Sequence, residues 1–370
     1  MSNFPRTRLS KPTSNTPPTA ASAGSGWRNG YMRCARMALI TLALTCCQSV
    51  LADSIARPVK VMVLTMFKPE AQHWLEHWGH TDQIVVPGLG ADNPVRCRQD
   101  GACLAILGMG HANAAASTMA LSFSSRLDLR QTYFLIAGIA GISPDYGTLG
   151  TATWAGYAVD FGLQWELDAR EIPNHWHSGY LGINTSNPDQ KPQLDYRTEV
   201  FQLDPTLQQA AYLLSRDVTL ADDAQAARYR TKYVQTVAHG KPQVTRCDTL
   251  SSDTWFSGHR LTQRATQWMA LLTDAKGRYC TAQQEDNATL EALRRAGTSG
   301  LVDPSRVALL RTGSDFDRPP PGISDVSNLL NFETQGGFAI ATENLYRAGS
   351  PLVEAIVANW SQWARGVPER

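Results

Sequence analysis

The chain has 370 residues, 34 Lys/Arg against 33 Asp/Glu, and 43% apolar residues. That apolar content is enough for a sizeable core and excludes a disordered chain. Near-neutral charge without a basic stripe excludes an electrostatic nucleic-acid binder.

Residues 1–31 are rich in Ser, Thr, Pro and Ala, with too little apolar surface to pack. Then come Arg33 and Arg36, an apolar run over 37–45, and Ser-Val-Leu-Ala over 49–52. That is a basic region, an apolar region and a small-residue cleavage site. The expectation is an N-terminal extension with a signal peptide over 1–52, cleaved near Ala52. Export to the periplasm would leave one domain over 53–370. The apolar run falls short of the ~20 residues a bilayer span needs, and no later segment is long and apolar enough to span one, so the mature chain is not expected to form a channel. Removing the six basic residues of the leader leaves 28 Lys/Arg against 33 Asp/Glu. Export permits disulfides. Cys97 and Cys103 flank a turn-like stretch and suit each other; Cys247 and Cys280 pair only if their segments are neighbours. No Cys/His clustering points to a metal.

Residues 59–65 form a β-rich apolar run, 69–78 have helical spacing with Pro69 at the start, and 84–86 form a short strand. The apolar run 103–107 leads into Gly-Met-Gly-His-Ala-Asn-Ala-Ala-Ala over 108–116, which opens a small-residue helix over 111–127. The run 133–136 leads into a second glycine turn, Ala-Gly-Ile-Ala-Gly over 137–141. Residues 151–160 have strand character. An insertion is expected around 162–245, its first part, 162–200, an irregular excursion over a pocket. Further on, 205–216, 222–233, 258–273 and 286–296 are expected as helices, and 244–250, 279–282 and 306–311 as strands. Residues 334–347 and 351–364 are expected as two closing helices. Strands alternating with helices predict an α/β layer fold with a mostly parallel sheet.

Glycines just past strand ends let backbone amides approach a ligand, and a helix N-terminus there favours an oxygen-rich group. A small-molecule pocket is therefore expected at the C-terminal edge of the sheet. The strand over 306–311 is expected to end at Gly313, followed by Ser314 and Asp315. Desolvation at a strand end raises a carboxyl toward the range where it donates a proton. Glu285 and Asn287, between a strand and a helix, suit vicinal hydroxyls. Ser-Asp-Thr-Trp-Phe over 252–256 puts aromatics beside an acid, a face for a planar base.

Taken in order, these motifs resemble those of the nucleoside phosphorylase and nucleosidase superfamily. The whole mature chain resembles the purine nucleoside permease family, which shares that fold. The resemblance implies a three-layer α/β fold, with a central mixed, mostly parallel sheet flanked by helices. It places Gly110 and Asn113 in the Gly-x-Gly-x-x-Asn-Ala-Ala element and Gly138 in the next glycine turn. Trp255 would stack on the base, Glu285 and Asn287 would bind ribose, and Ser314 would accompany Asp315 at purine N7. Asp315 and Glu70 would be the catalytic pair, Glu70 handling the attacking water.

Two departures matter. Asn287 stands where the superfamily carries a glutamate, and Ile139 where phosphorylases carry Ser or Thr. The second favours hydrolysis over phosphorolysis. The implied protein is an exported purine-nucleoside-recognising protein linked to uptake, cleaving the N-glycosidic bond. The alternative is a non-catalytic nucleoside-binding component of transmembrane transport. No cofactor is implied; inorganic phosphate is the alternative co-substrate. Implied partners are a purine nucleoside, a second copy in a homodimer, and an inner-membrane transporter.

Overall fold

The computed structural model describes residues 56–90 and 92–369. The expected leader and its cleavage site lie outside them. Among the described residues, twelve strands form one mixed sheet. They are β1 (Val61–Thr65), β2 (Asp82–Ile84), β3 (Val95–Cys97), β4 (Ala102–Ile106), β5 (Tyr133–Ile142) and β6 (Ala152–Trp154). The rest are β7 (Tyr157–Asp160), β8 (Val200–Gln202), β9 (Val244–Arg246), β10 (Asp248–Ser251), β11 (Tyr279–Gln283) and β12 (Val307–Phe316). The path across the sheet is β8-β7-β10-β11-β5-β1-β4-β3-β2, with β12 along β5 and β6 and β9 beyond it. The pairs β1–β4, β1–β5, β5–β12 and β10–β11 are parallel.

Alternation along the central strands makes three layers. Met62, Leu64, Phe134, Ile136 and Leu309 pack on one face, with Leu121 of α2 (His111–Ser122) and Leu290 and Leu293 of α5 (Asp286–Thr298). Val61, Val63, Leu135, Ala137 and Leu310 pack on the other. There they meet Trp74 of α1 (Lys68–Trp78), Leu207 of α3 (Pro205–Ser215) and Leu345 and Val353 of α6 (Gly337–Ala358). Because both faces are covered, these strands read as unbroken apolar runs. Between α3 and α5 in sequence, α4 (His259–Leu272) packs Trp268 and Met269 against Leu250 and Tyr279.

Several elements differ from expectation. Helix α2 stops at Ser122, and Leu127–Asp128 instead pairs with Arg57–Pro58. The run 151–160 breaks into β6 and β7, which serve different neighbours. The closing helices are one: α6 runs through Pro351. A mid-helix proline costs about 3 kcal/mol, but Leu345, Ala348, Leu352 and Ile356 are all buried on one stripe, which outweighs it. Gln164–Glu166 and Tyr180–Gly182 form a small separate hairpin, while β8 rejoins the main sheet. Both disulfides form: Cys97 and Cys103 face each other across β3 and β4, and Cys247–Cys280 ties the start of β10 to β11.

Two further differences position the site. Residues 137–141 are not a turn but the interior of β5, and β12 runs three residues past its expected end at Gly313, to Phe316, through a register shift between Gly313 and Asp315. One edge of β5 is paired with β12 throughout. The other edge pairs with β1 over Tyr133–Ile136 and with β11 only at Gly141 and Ile142. Strands therefore diverge from residues 137–140, the kind of switch point where open α/β sheets form ligand sites.

Candidate active site

Divergence leaves Ile139 with a backbone N–H and C=O that no strand satisfies, and buried backbone groups need partners. Side chains supply them. Ile139 N donates to Glu70 Oε1 at 2.8 Å, and Arg311 Nη1 donates to Ile139 O at 3.0 Å. Glu70 lies in the first turn of α1, where a carboxylate also suits the helix dipole. Its Oε2 accepts from Met66 N at 2.6 Å.

Arg311 starts on β12, opposite Gly138 of β5. Its side chain crosses β5 over Gly138, because a Cβ there would meet the guanidinium and lie 3.0 Å from Glu70 Oε1. Gly138 is thus a crossing point, not a turn. Arg311 is 1% exposed; it ion-pairs with Asp286 and reaches Glu285 Oε2 at 3.5 Å. One buried cation among Glu70, Glu285 and Asp286 cannot keep all three carboxyls in their usual range. Burial pushes Glu70 up to about 7 against the pull of Arg311, and Asp286 is raised for the same reason.

The β12 register shift turns Asp315 toward the same region. Burial raises its carboxyl to about 7, opposed by Ser314, whose Oγ donates to Asp315 Oδ1 at 2.7 Å. The same hydroxyl lies 3.2 Å from Ala140 O, so its one proton is shared between Asp315 and β5.

Glu70, Trp255, Glu285, Ser314 and Asp315 line one cavity of about 310 Å³, together with Met66, Phe67, Met109, Ile139, Phe332 and Phe338. That is the lower end of the range for small-molecule sites. Gly110, at φ +85°, starts α2 and donates its N–H to Glu285 Oε1 at 3.1 Å. The next amide, His111 N, donates to Asp253 Oδ1 at 2.7 Å. The helix N-terminus that favours an anion is therefore occupied by the protein's own carboxylates.

Four expected residues do not line the cavity: Gly110 and Gly138 act through Glu285 and Arg311 as described above, and Asn113 and Asn287 stand apart. Asn113 is exposed, and its amide donates to Met109 O at 2.8 Å, bracing the glycine turn. Asn287 is buried, with Nδ2 donating to Thr198 O at 2.7 Å; it borders a separate crevice between α2 and α5. The short side chain is captured by the backbone at 198, so it does not join Asp315. Sequence reasoning also missed Arg311, Asp286 and Gln283. Arg311 carried a signal: a guanidinium inside an apolar strand must be paired.

A switch-point cavity bordered by two buried carboxyls near neutrality can donate one proton and accept another. Its frame is the α/β fold of nucleosidases: the chain is similar to the 5′-methylthioadenosine/S-adenosylhomocysteine nucleosidase from Neisseria meningitidis, solved with methylthio-immucillin-A, at TM-score 0.50 and 15% identity. That match covers 80% of this chain and 99% of the other, and it shows the fold alone. The family model described as purine nucleoside permease (NUP) matches residues 58–368, and the chain belongs to that family. It is 41% identical over 322 residues to a probable purine nucleoside permease of Schizosaccharomyces pombe, covering 84% of this chain and 92% of that one. It is 38% identical over 309 residues to the purine nucleoside permease of Candida albicans, covering 82% and 76%. Among the described residues, no helix is long and apolar enough to cross a membrane.

Proposed function

We propose that this protein binds purine nucleosides in the cavity and hydrolyses their N-glycosidic bond. The observation that carries the reading is the pair of buried carboxyls, Glu70 and Asp315, both raised to about 7 and lining one cavity. Neutral Asp315 gives its proton to N7 as the bond between C1′ and N9 breaks and its electron pair passes to the base. Ionised Glu70 takes a proton from the water that bonds to C1′. Ser314 holds Asp315, Trp255 stacks on the base, and Glu285 contacts the ribose hydroxyls. Arg311 fixes Glu285 and Glu70 around the developing positive charge on the sugar.

Water is favoured over phosphate because the amides of Gly110, His111, Ile139 and Met66 are already held by carboxylates. A phosphate would have to displace one acid and sit against the others. Export, with cleavage near Ala52, and service to a transport system in the inner membrane are part of the same proposal; the leader pattern and the names of the relatives support them.

The test is release of free base from adenosine and inosine, beside Asp315→Asn and Glu70→Gln. Each variant is expected to lose about 10²–10⁴-fold in kcat, the usual worth of a general acid or base. A second reading, nucleoside binding without cleavage, draws on the names of the relatives and on Asn287 standing away from the cavity. Saturable nucleoside binding with no base released would replace the first reading by the second.

A further inference from the structure

Beside the main cavity lies a recess of about 10 Å³, bordered by Gly141, Trp255, Gln283, Phe256 and Asp317. That volume holds about one water or one exocyclic group. It adjoins the main cavity, because Trp255 and Gln283 border both. A Cβ built on Gly141 would lie 3.4 Å from the Trp255 ring and 3.7 Å from Asp315 Oδ2, so this glycine marks the junction.

Asp315 lies near the end of β12 and Asp317 just past it, where Asp317 N donates to Ile142 O at 3.1 Å and keeps the chain beside β5. Asp315 borders the main cavity and Asp317 the recess. Gln283 has no capacity to spare: Nε2 donates to Leu250 O at 3.0 Å, and Oε1 accepts from the amides of Glu285 and Asp286 at 2.8 and 3.0 Å. Asp317 does. Its Oδ2 accepts from the Tyr279 hydroxyl at 2.8 Å, the Thr262 hydroxyl lies beside the carboxyl, and Oδ1 has a 3.5 Å contact with Arg318 Nη1. Arg318 is drawn away by Asp145, at 2.6 Å. The recess thus offers the Asp317 carboxyl as its one acidic acceptor, with the apolar Phe161, Leu250 and Phe256 and the hydroxyl residues Ser252 and Thr254 around it.

In a purine, N7 and the six-position substituent are neighbours on one edge. We infer that the recess receives the exocyclic group at the six position and that Asp317 selects an amino group there over an oxo group. This rests on the nucleoside reading. Burial raises the Asp317 carboxyl to about 7, against the pull of Arg318 and the Tyr279 hydroxyl that donates to it, so above that pH the ionised carboxyl accepts from an amino group, whereas an oxo group brings a second acceptor.

The test is calorimetric titration of the full chain with adenine, hypoxanthine and unsubstituted purine, on wild type and Asp317→Asn. Wild type is expected to bind adenine at least about tenfold tighter than the other two, because a site built to pair a polar group rejects an analogue that cannot pair. Asp317→Asn, whose amide can donate to an oxo group, is expected to lose that preference. Equal wild-type affinities, or a preference that survives in a variant with native circular dichroism, would overturn the inference. Should Asp317→Asn not fold, the wild-type series decides alone. Nucleosides cleaved with no amino preference sink this inference only; no base bound and no nucleoside cleaved sinks the nucleoside reading with it.

Discussion

Asp315 is kept at a cost to stability. Its carboxyl moves from an ordinary 3.8 in the unfolded chain to about 7 in the fold. The folded state therefore holds a proton that the unfolded chain releases. The stabilising effect is complete below about pH 4 and lost as pH rises through about 7. Asp315→Asn removes that penalty while keeping an oxygen for the Ser314 hydroxyl. In urea unfolding it is expected to be more stable than wild type by roughly 2–4 kcal/mol near pH 8, a gap that shrinks toward pH 4. A variant no more stable than wild type at either pH would mean that Asp315 is not desolvated as described. The same two carboxyls set the rate profile. The productive form needs Glu70 ionised and Asp315 neutral, so kcat/KM should peak near pH 7 and fall on both sides. With both groups near 7, about a quarter of the enzyme is productive at the maximum. A profile flat from about pH 5 to 9 would contradict the pairing of roles.

At the scale of elements, the site depends on one strand crossing another by way of a glycine. Gly138→Ala puts a Cβ into the path of Arg311, which has no other route to Ile139 O and Asp286. The expected cost is about 1–3 kcal/mol in thermal or urea unfolding, as for overpacking in a core, together with a fall in kcat as Glu285 and Glu70 lose their common cation. Full activity in Gly138→Ala would show that Arg311 is not needed where it stands. Here the sequence was legible up to a point. Apolar runs located β1, β4, β5 and β12, since both faces of those strands are buried. The same property hid their lengths: Gly138 and Gly141 punctuate a strand that sheet pairing carries straight through them. Asp315 was picked out by its place beside a strand end, and Glu70 only through the resemblance to nucleosidases. Arg311 showed in the sequence only as a charge in need of a partner, and Asp317 not at all, because their partners come from other strands and helices of the fold. Asn287 looked like a ribose ligand by its spacing, but spacing could not show that the backbone at 198 takes its amide.

Across the whole molecule, the two disulfides brace the two wings of the sheet at unequal distances in sequence. The Cys97–Cys103 link closes a 6-residue separation and Cys247–Cys280 a 33-residue one. Chain-entropy reasoning gives about 2 kcal/mol for the first and about 4 kcal/mol for the second. Replacing Cys247 and Cys280 by Ser should therefore lower the urea midpoint more than replacing Cys97 and Cys103; the reverse order would show that native-state packing, not loop closure, sets their worth. In the sheet they brace, the strands part at residues 137–140 to hold two carboxyls at one cavity, and the proposed hydrolysis rests on that arrangement. The most direct measurement is the sugar product formed from adenosine and inosine in phosphate buffer, identified by mass spectrometry. Free ribose, formed at a rate that phosphate does not raise, is the predicted result. Ribose 1-phosphate as the main product would contradict the account, since the amides of Gly110, His111, Ile139 and Met66 would then have to be open to phosphate.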